Sequence, residues 1–279
     1  MKLATLAGRA VLVFGDRALD VETASEGVFG ADAQALFARW SAFATWATSI
    51  SDAGSTPFDV AELGAPVPRP TQVFAIGVNY AEHAAEAGYP ADSLPVTFTK
   101  FASSIVGPSH VVELPEGNVD WEVELVVAIS RDAYRVHRAD AWSYVAGVTI
   151  GQDISERVTQ LEGSSPQFSL GKSFPGFGPT GPWLVTPDEL PDRDDLAIGC
   201  SVSGEQMQSS RTSMMIYDVP ELIARLSAVL HLLPGDIIFT GTPAGVGNRR
   251  TPQRFLTADD HLRSEIEGIG SLDTRFTRA

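Results

Sequence analysis

The sequence predicts an α+β fold made mostly of strands, with a small accessory domain at its N-terminal end. Three observations carry this reading. Five short apolar runs of strand length lie beyond residue 70, helical periodicity is confined to a few segments, and alternating Pro66, Pro68 and Pro70 interrupt the chain between two differently patterned parts.

In chain order, residues 1–69 contain a short strand from Ala10 to Phe14 and an unevenly patterned helical piece from about Ala31 to Thr48, which marks an accessory domain. A larger, strand-rich domain, the candidate catalytic one, is predicted over residues 70–279. Its predicted strands are Gln72 to Val78, Trp121 to Ile129, Ala146 to Ile150, Leu196 to Val202 and Ile237 to Thr240. The clearest helix runs from Pro220 to about Leu230. Asp218 caps it, proline stands in its first turn, and Leu222, Leu226, Val229 and Leu230 share one face. Pro234-Gly235-Asp236 then turns the chain into the next strand. No internal repeat interrupts this order.

A chain of 279 residues that is 44% apolar can bury a sizeable core without disulfides. Its one cysteine, Cys200, alternates with Leu196, Ile198 and Val202 and reads as core. Arg9 interrupts the apolar start, and Arg225, His231, Pro234 and Asp236 break the most apolar later stretch, so the expectation is a cytoplasmic protein with no membrane span. With 35 acidic against 20 basic residues the net charge is −15, which argues against nucleic acid and anionic lipid as partners. The same field repels a small carboxylate, so an enzyme acting on one needs local cations or a bound metal.

The chemistry concentrates in Trp121-Glu122-Val123-Glu124-Leu125-Val126-Val127. Strand alternation puts Glu122 and Glu124 on one face, roughly 7 Å apart along the backbone and able to converge on one ion. Taken alone, this segment is more ordinarily a half-exposed strand with its acids in water. A third carboxylate, Asp153, follows the end of the next apolar strand, although aspartate there is also a common turn former. All-oxygen ligation by Glu122, Glu124 and Asp153 suits Mg2+ or Mn2+ better than zinc and is compatible with Ca2+. Such an ion chelates the two oxygens of a 2-oxo acid or an enolised 1,3-diketone and stabilises an enolate.

Four motifs in order strengthen this reading. They are Glu122-Val123-Glu124, Asp153-Ile154-Ser155-Glu156-Arg157-Val158-Thr159-Gln160, Gly171-Lys172-Ser173-Phe174 and Thr240-Gly241-Thr242-Pro243. Together they resemble the fumarylacetoacetate hydrolase superfamily from about Val73 to Leu272, in the form of a bacterial family member with an N-terminal extension. The resemblance implies a mixed β-sandwich roll, metal ligation by Glu122, Glu124 and Asp153, and Lys172 acting electrostatically beside the ion. A Schiff-base role for Lys172 is the alternative, and it needs a lowered pKa.

The segment Asn79-Tyr80-Ala81-Glu82-His83-Ala84-Ala85-Glu86 is similar to another family segment. On a helix, His83 and Glu86 share a face at i and i+3, where the carboxylate orients an imidazole base that activates water. Gly77, Gly88 and Pro90 around it have the composition of a mobile lid. Asn79, Tyr80, Arg157, Gln160 and Thr242 are the candidate substrate contacts. For Arg157, buried pairing with a glutamate competes with that role. The loop from Gly241 to Gly247 has neither a Walker lysine nor a G-x-G-x-x-G spacing, so carboxylate binding by Thr242 and backbone amides is preferred over phosphate binding.

Gln152, Pro175 and Val78 depart from commoner family forms, and Val78 stands where acylpyruvate-cleaving relatives often carry arginine. The resulting expectation is a catabolic hydrolase cleaving a carbon–carbon bond of an acylpyruvate or other 2,4-diketo acid. Decarboxylation of an oxaloacetate-like acid and isomerisation of a 2-oxo or 2-hydroxy dienoate are the alternatives, and a non-catalytic binding or scaffold protein is the reading from another class. The resemblance implies a homodimer. The apolar stretch Met214-Met215-Ile216-Tyr217 reads as a subunit contact or, more ordinarily, as a core strand.

Overall fold

The computed structural model describes residues 1–90 and 94–278. Strands dominate it, as predicted. A long mixed sheet runs, edge to edge, through Thr56–Pro57, Arg17–Asp20, Arg9–Phe14, Lys2–Leu6, Gly178–Val185, Val145–Gln152, Val123–Ile129, Ile237–Phe239, Val73–Gly77 and Val96–Thr99. A second sheet orders Glu205–Arg211, Ala197–Val202, His261–Ile266, Gly270–Arg278 and Val111–Leu114. Most neighbours are antiparallel, but Ile237–Phe239 pairs parallel with Val73–Gly77.

The Val123–Ile129 strand sits at the centre of this architecture, and neither of its faces is wet. Val123, Leu125, Val127 and Ile129 pack into the core shared with the second sheet, beside Ile198, Leu262 and Leu272. Val126 and Ala128 face the other way, against Phe239 and the aromatic side chains Phe37, Trp40 and Phe43 of the N-terminal helical segment. A strand covered on both sides has no solvent face for carboxylates. Glu122 and Glu124 are accordingly buried, which removes the half-exposed-strand alternative.

The N-terminal segment joins this architecture directly. Lys2–Leu6 pairs antiparallel with Gly178–Val185, placing Leu3 opposite Leu184, so the first strands extend the same sheet that carries the central strand. The helical piece is split into Ala33–Leu36, a 3-10 turn at Phe37–Arg39, and Trp40–Ala47. The C-terminal helix is Val219–Ser227. The Asp218 side chain caps it by accepting from the Glu221 amide, and because the helix stops at Ser227, Val229 is exposed instead of continuing the apolar face. Met214-Met215-Ile216-Tyr217 forms no regular strand: a 3-10 turn covers Thr212–Met214, Met215 makes an isolated bridge to Tyr80, and Met214 and Ile216 are exposed. No helix among the described residues is long and apolar enough to cross a membrane.

Candidate active site

The carboxylates are positioned by adjacent strands. Glu122 immediately precedes the central strand. Its amide donates to Gln152 Oε1 at 2.9 Å and its carbonyl accepts from the Asp153 amide at 2.9 Å, which locks the two acids side by side. Gln152, one of the departures noted in the sequence, also donates to Ser264 Oγ at 2.7 Å and so ties the acids to the second sheet. Glu124 lies within the strand and accepts from the Gly241 amide at 2.8 Å. One ligand oxygen from each of Glu122, Glu124 and Asp153 falls within 4.8 Å of the others, the span that oxygens about 2.0–2.6 Å from a shared hard cation occupy.

Two buried lysines surround these acids. Lys172 Nζ donates to Glu122 Oε2 at 2.8 Å, Asp153 Oδ2 at 2.7 Å and Ser155 Oγ at 2.8 Å. Lys100 Nζ donates to Asp153 Oδ1 at 2.7 Å, to Phe177 O at 3.2 Å and to Lys172 O. Arg157 Nη2 lies 2.6 Å from Asp120 Oδ1 and 2.8 Å from Glu122 Oε1, and Arg157 Nη1 donates to Gln160 Oε1 at 2.7 Å. The competing reading of Arg157 as a buried structural partner therefore describes its geometry, although the residue also lines the cleft.

The electrostatics follow from burial. Desolvation lowers Lys172, but Asp153 and Glu122 raise it more, so it lies above the ordinary lysine value, which counts against a Schiff-base role. Lys100 goes the other way: burial outweighs its pairing with Asp153 and lowers it. Burial also raises Glu122, yet Lys172 and Arg157 overcome that and hold it below the carboxylate range. Glu124 is pushed well above that range, first by burial and then by the charges of Asp153 and Glu122, and a divalent cation would relieve all three causes. Burial raises Asp120 to about 6 against the opposing pull of Arg157. Glu122, Glu124 and Asp153, with one oxygen of each within 4.8 Å of the others, form an all-oxygen donor set that fits a hard divalent cation.

The dyad predicted on a helix is present. His83 and Glu86 lie on the short helix Ala81–Glu86, with His83 Nδ1 3.0 Å from Glu86 Oε2. Glu86 Oε1 accepts from the Gly245 amide at 3.0 Å, so both carboxylate oxygens are engaged and the imidazole is held from behind. Val78 reaches this helix through a left-handed φ of 54°, strained for a β-branched residue.

A cleft with about 70 Å³ of interior volume gathers His83, Glu122, Arg157, Gln160, Lys172 and Thr242, together with Asn248 and Arg249. Among the other sequence candidates, Glu86, Glu124, Asp153, Asn79 and Tyr80 do not line it; Glu86, Glu124 and Asp153 sit behind His83, Glu122 and Lys172. Asn79 Nδ2 donates to Thr240 O at 2.7 Å and Tyr217 O at 2.9 Å, while its Oδ1 accepts from the Tyr217 amide at 2.8 Å, so Asn79 clamps backbone. Tyr80 is buried, its hydroxyl has no partner among the described residues, and burial holds that hydroxyl un-ionised. Thr242 Oγ1 donates to Val123 O at 2.9 Å and accepts from Gln208 Nε2 at 2.8 Å, so its hydroxyl is already engaged inside the protein. Lys100, Asp120, Ser155, Gln208 and Arg249 escaped the sequence reading. Lys100 ends the alternating Val96–Thr99 strand, but nothing local announces a partner 53 residues away.

A buried carboxylate and lysine cluster that reaches one cleft through Glu122 and Lys172, beside His83 with Glu86 behind it, defines a class of enzyme centre able to hold a hard cation and move a proton. The chain belongs to the fumarylacetoacetate hydrolase family, since residues 72–277 match the fumarylacetoacetate (FAA) hydrolase C-terminal domain. The mitochondrial oxaloacetate tautomerase FAHD2A of Bos taurus is 46% identical over 208 residues, a match covering 74% of this chain and 66% of that protein. A Mycobacterium smegmatis protein provisionally named HpcE, solved by crystallography, is 51% identical with a TM-score of 0.94, each chain covered in full. Maleylpyruvate hydrolase from Sphingobium sp. SYK-6, solved with manganese(II) and pyruvate, is 28% identical with a TM-score of 0.82, again over 100% of both chains.

Proposed function

We propose that this chain is a metal-dependent enzyme that takes a 2-oxo or 2,4-diketo acid through its enolate, with hydrolysis of a carbon–carbon bond in an acylpyruvate-type acid as its reaction. The observation that supports this reading is the 3.0 Å pair of His83 and Glu86, with His83 on the cleft that Glu122 and Lys172 also line. Glu122, Glu124 and Asp153 would hold Mg2+ or Mn2+. That ion supplies Lewis-acid polarisation of the substrate oxygens and charge compensation for the enolate. Glu86 fixes the imidazole with Nδ1 as donor, so Nε2 takes the proton from water. Lys172, held protonated by its acids, keeps positive charge beside the place where the enolate forms. Gln160 binds substrate through the amide nitrogen that its bond to Arg157 leaves free.

A second reading is enol–keto interconversion or decarboxylation of an oxaloacetate-like acid, supported by the 46% identical relative named as an oxaloacetate tautomerase. The same base would then move a proton on carbon. Incubating Mn2+-loaded protein with acetylpyruvate and with oxaloacetate tests both: hydrolysis yields two carbon fragments without carbon dioxide, tautomerisation an enol absorbance change at constant mass, and decarboxylation carbon dioxide. Full turnover by Glu122→Ala, or turnover indifferent to chelation, would overturn the metal-enolate mechanism.

A further inference from the structure

Glu205–Arg211 is an edge strand of the second sheet, and Glu205, Gln206, Ser209 and Arg211 are exposed on it. Between them Met207 and Gln208 are both buried, which strict alternation does not allow. The cause is a β-bulge. Cys200 faces Gln208 and Ser201 faces Gln206, so Met207 is the extra residue and Gln208 turns inward beside it. A buried amide needs partners for two protons and two lone pairs, and Gln208, 1% exposed, has all four. Its Oε1 accepts from the Val123 amide at 3.0 Å and from Cys200 Sγ at 3.2 Å. Its Nε2 donates to Thr242 Oγ1 at 2.8 Å and to Pro243 O at 2.7 Å.

These four bonds join the two halves of the site. Val123 stands between Glu122 and Glu124, and the Glu122 amide is held in the same way by Gln152 Oε1, so two successive amides among the carboxylates rest on glutamine oxygens, one from each sheet. Thr242 and Pro243 lie between Gly241, the donor to Glu124, and Gly245, the donor to Glu86. The Gly241 side of this loop has anchors of its own, because Thr240 Oγ1 donates to Leu125 O at 2.9 Å and Thr242 Oγ1 to Val123 O at 2.9 Å. The side that reaches Glu86 depends on Gln208 at Pro243 O and on Trp121 Nε1, which donates to Gly245 O at 3.2 Å.

We propose that Gln208 is a positioning residue that fixes the base relative to the carboxylate centre. Its oxygen holds the segment of Glu122 and Glu124, its nitrogen holds the loop whose Gly245 amide backs Glu86, and Glu86 orients His83. This rests on the metal-enolate reading, in which His83 is the base. Among the described residues Gln208 makes no hydrogen bond to His83 or to a metal-ligating carboxylate, so loss of its amide acts through the loop. Thr240 and Thr242 keep Gly241 on Glu124 without it, and the loss therefore falls on the base and spares the ion.

Gln208→Met keeps most of the volume and removes the amide. Hydrogen–deuterium exchange of the Mn2+-loaded full chain should show residues 243–249 exchanging about tenfold faster or more in the variant, with residues 125–129 protected as in wild type. On whichever of acetylpyruvate and oxaloacetate the wild type turns over, kcat should fall about tenfold to hundredfold with oxalate affinity unchanged. In a Glu86→Gln background the same substitution should cost about twofold or less, whereas a merely structural role would lower kcat by the same factor in both backgrounds. Unchanged exchange at residues 243–249, equal falls in both backgrounds, or a loss of oxalate affinity in step with kcat overturns the assignment. If Gln208→Met does not fold, Gln208→Glu carries the same comparison, since it keeps an oxygen for the Val123 amide and gives up at least one donor to the loop. Wild-type kcat in Glu86→Gln alone would instead refute His83 as the base, and the role of Gln208 with it.

Discussion

Lys100→Met offers the most direct measurement of how the buried charges hold one another. Lys100 is 2% exposed, and methionine keeps most of its length and volume without the charge. The substitution strips the donor from Asp153 Oδ1 and from the carbonyls of Lys172 and Phe177. Breaking a buried pair by deleting one partner costs about 3–5 kcal/mol, because a charge is left unpaired. Lys172 still holds Asp153 through Oδ2 at 2.7 Å, which places the expected loss at the lower end, about 3 kcal/mol. For a chain of this size, that corresponds to a fall in Tm of roughly 5 °C. Urea and thermal unfolding followed by tryptophan fluorescence would measure it with and without Mn2+. An ion at Asp153 supplies the missing charge, so Mn2+ should stabilise the variant more than the wild type. A loss under about 1 kcal/mol, with the same Mn2+ response in both proteins, would refute the idea that Lys100 neutralises the centre.

Two further outcomes follow from the same geometry. Glu86→Gln keeps the shape but puts an uncharged amide against His83 Nδ1; loss of the oriented base should lower kcat by about 10²–10⁴ while oxalate affinity for the Mn2+-loaded protein stays unchanged, and a drop below about threefold would remove His83 from the role of base. Burial and the neighbouring charges of Asp153 and Glu122 push Glu124 well above the carboxylate range, so a divalent ion competes with a proton there: metal affinity should rise with pH and ion binding should release protons, seen as a buffer-dependent heat in calorimetry and contradicted by heats identical across buffers.

Much of this site could be read from residue order because strand and helix periodicities are local. Alternation around Val123 puts Glu122 and Glu124 together, and the i, i+3 relation puts His83 with Glu86, whatever lies elsewhere. Partners that depend on tertiary pairing carry no such signal. Gly178–Val185 reads Gly-Pro-Thr-Gly-Pro-Trp-Leu-Val, whose two glycines and two prolines conceal a strand that nevertheless joins the N-terminal strands to the sheet. Asn79 and Thr242 look like ligand-binding residues in sequence, but their polar atoms are consumed by Tyr217, Thr240, Val123 and Gln208, whose proximity only the folded chain creates. Arg249 sits among three arginines of similar appearance, and only the folded positions of Glu205 and Asp260 distinguish it from its neighbours.

The glycine-rich loop after Thr240 explains why metal ligands, base and cleft wall form one unit. Its amides point at the protein's own acids: Gly241 donates to Glu124 Oε2, Gly245 to Glu86 Oε1, and Asn248 to Asp120 Oδ2. A phosphate cradle would instead turn those amides outward. Glycine is required at two of these positions for a steric reason. Gly241 and Gly245 have φ of 102° and 108°, and a Cβ would come 2.6 Å from Asn79 Cβ and 2.1 Å from Met207 O. A side chain at Gly245 must therefore push the loop off the second sheet, and the hydrogen bond that holds Glu86 behind His83 moves with it. Because the same short segment carries the donor to Glu124 and ends at Arg249, a displacement there reaches the carboxylate centre, the base and the cleft wall together, although the residue displaced touches no substrate.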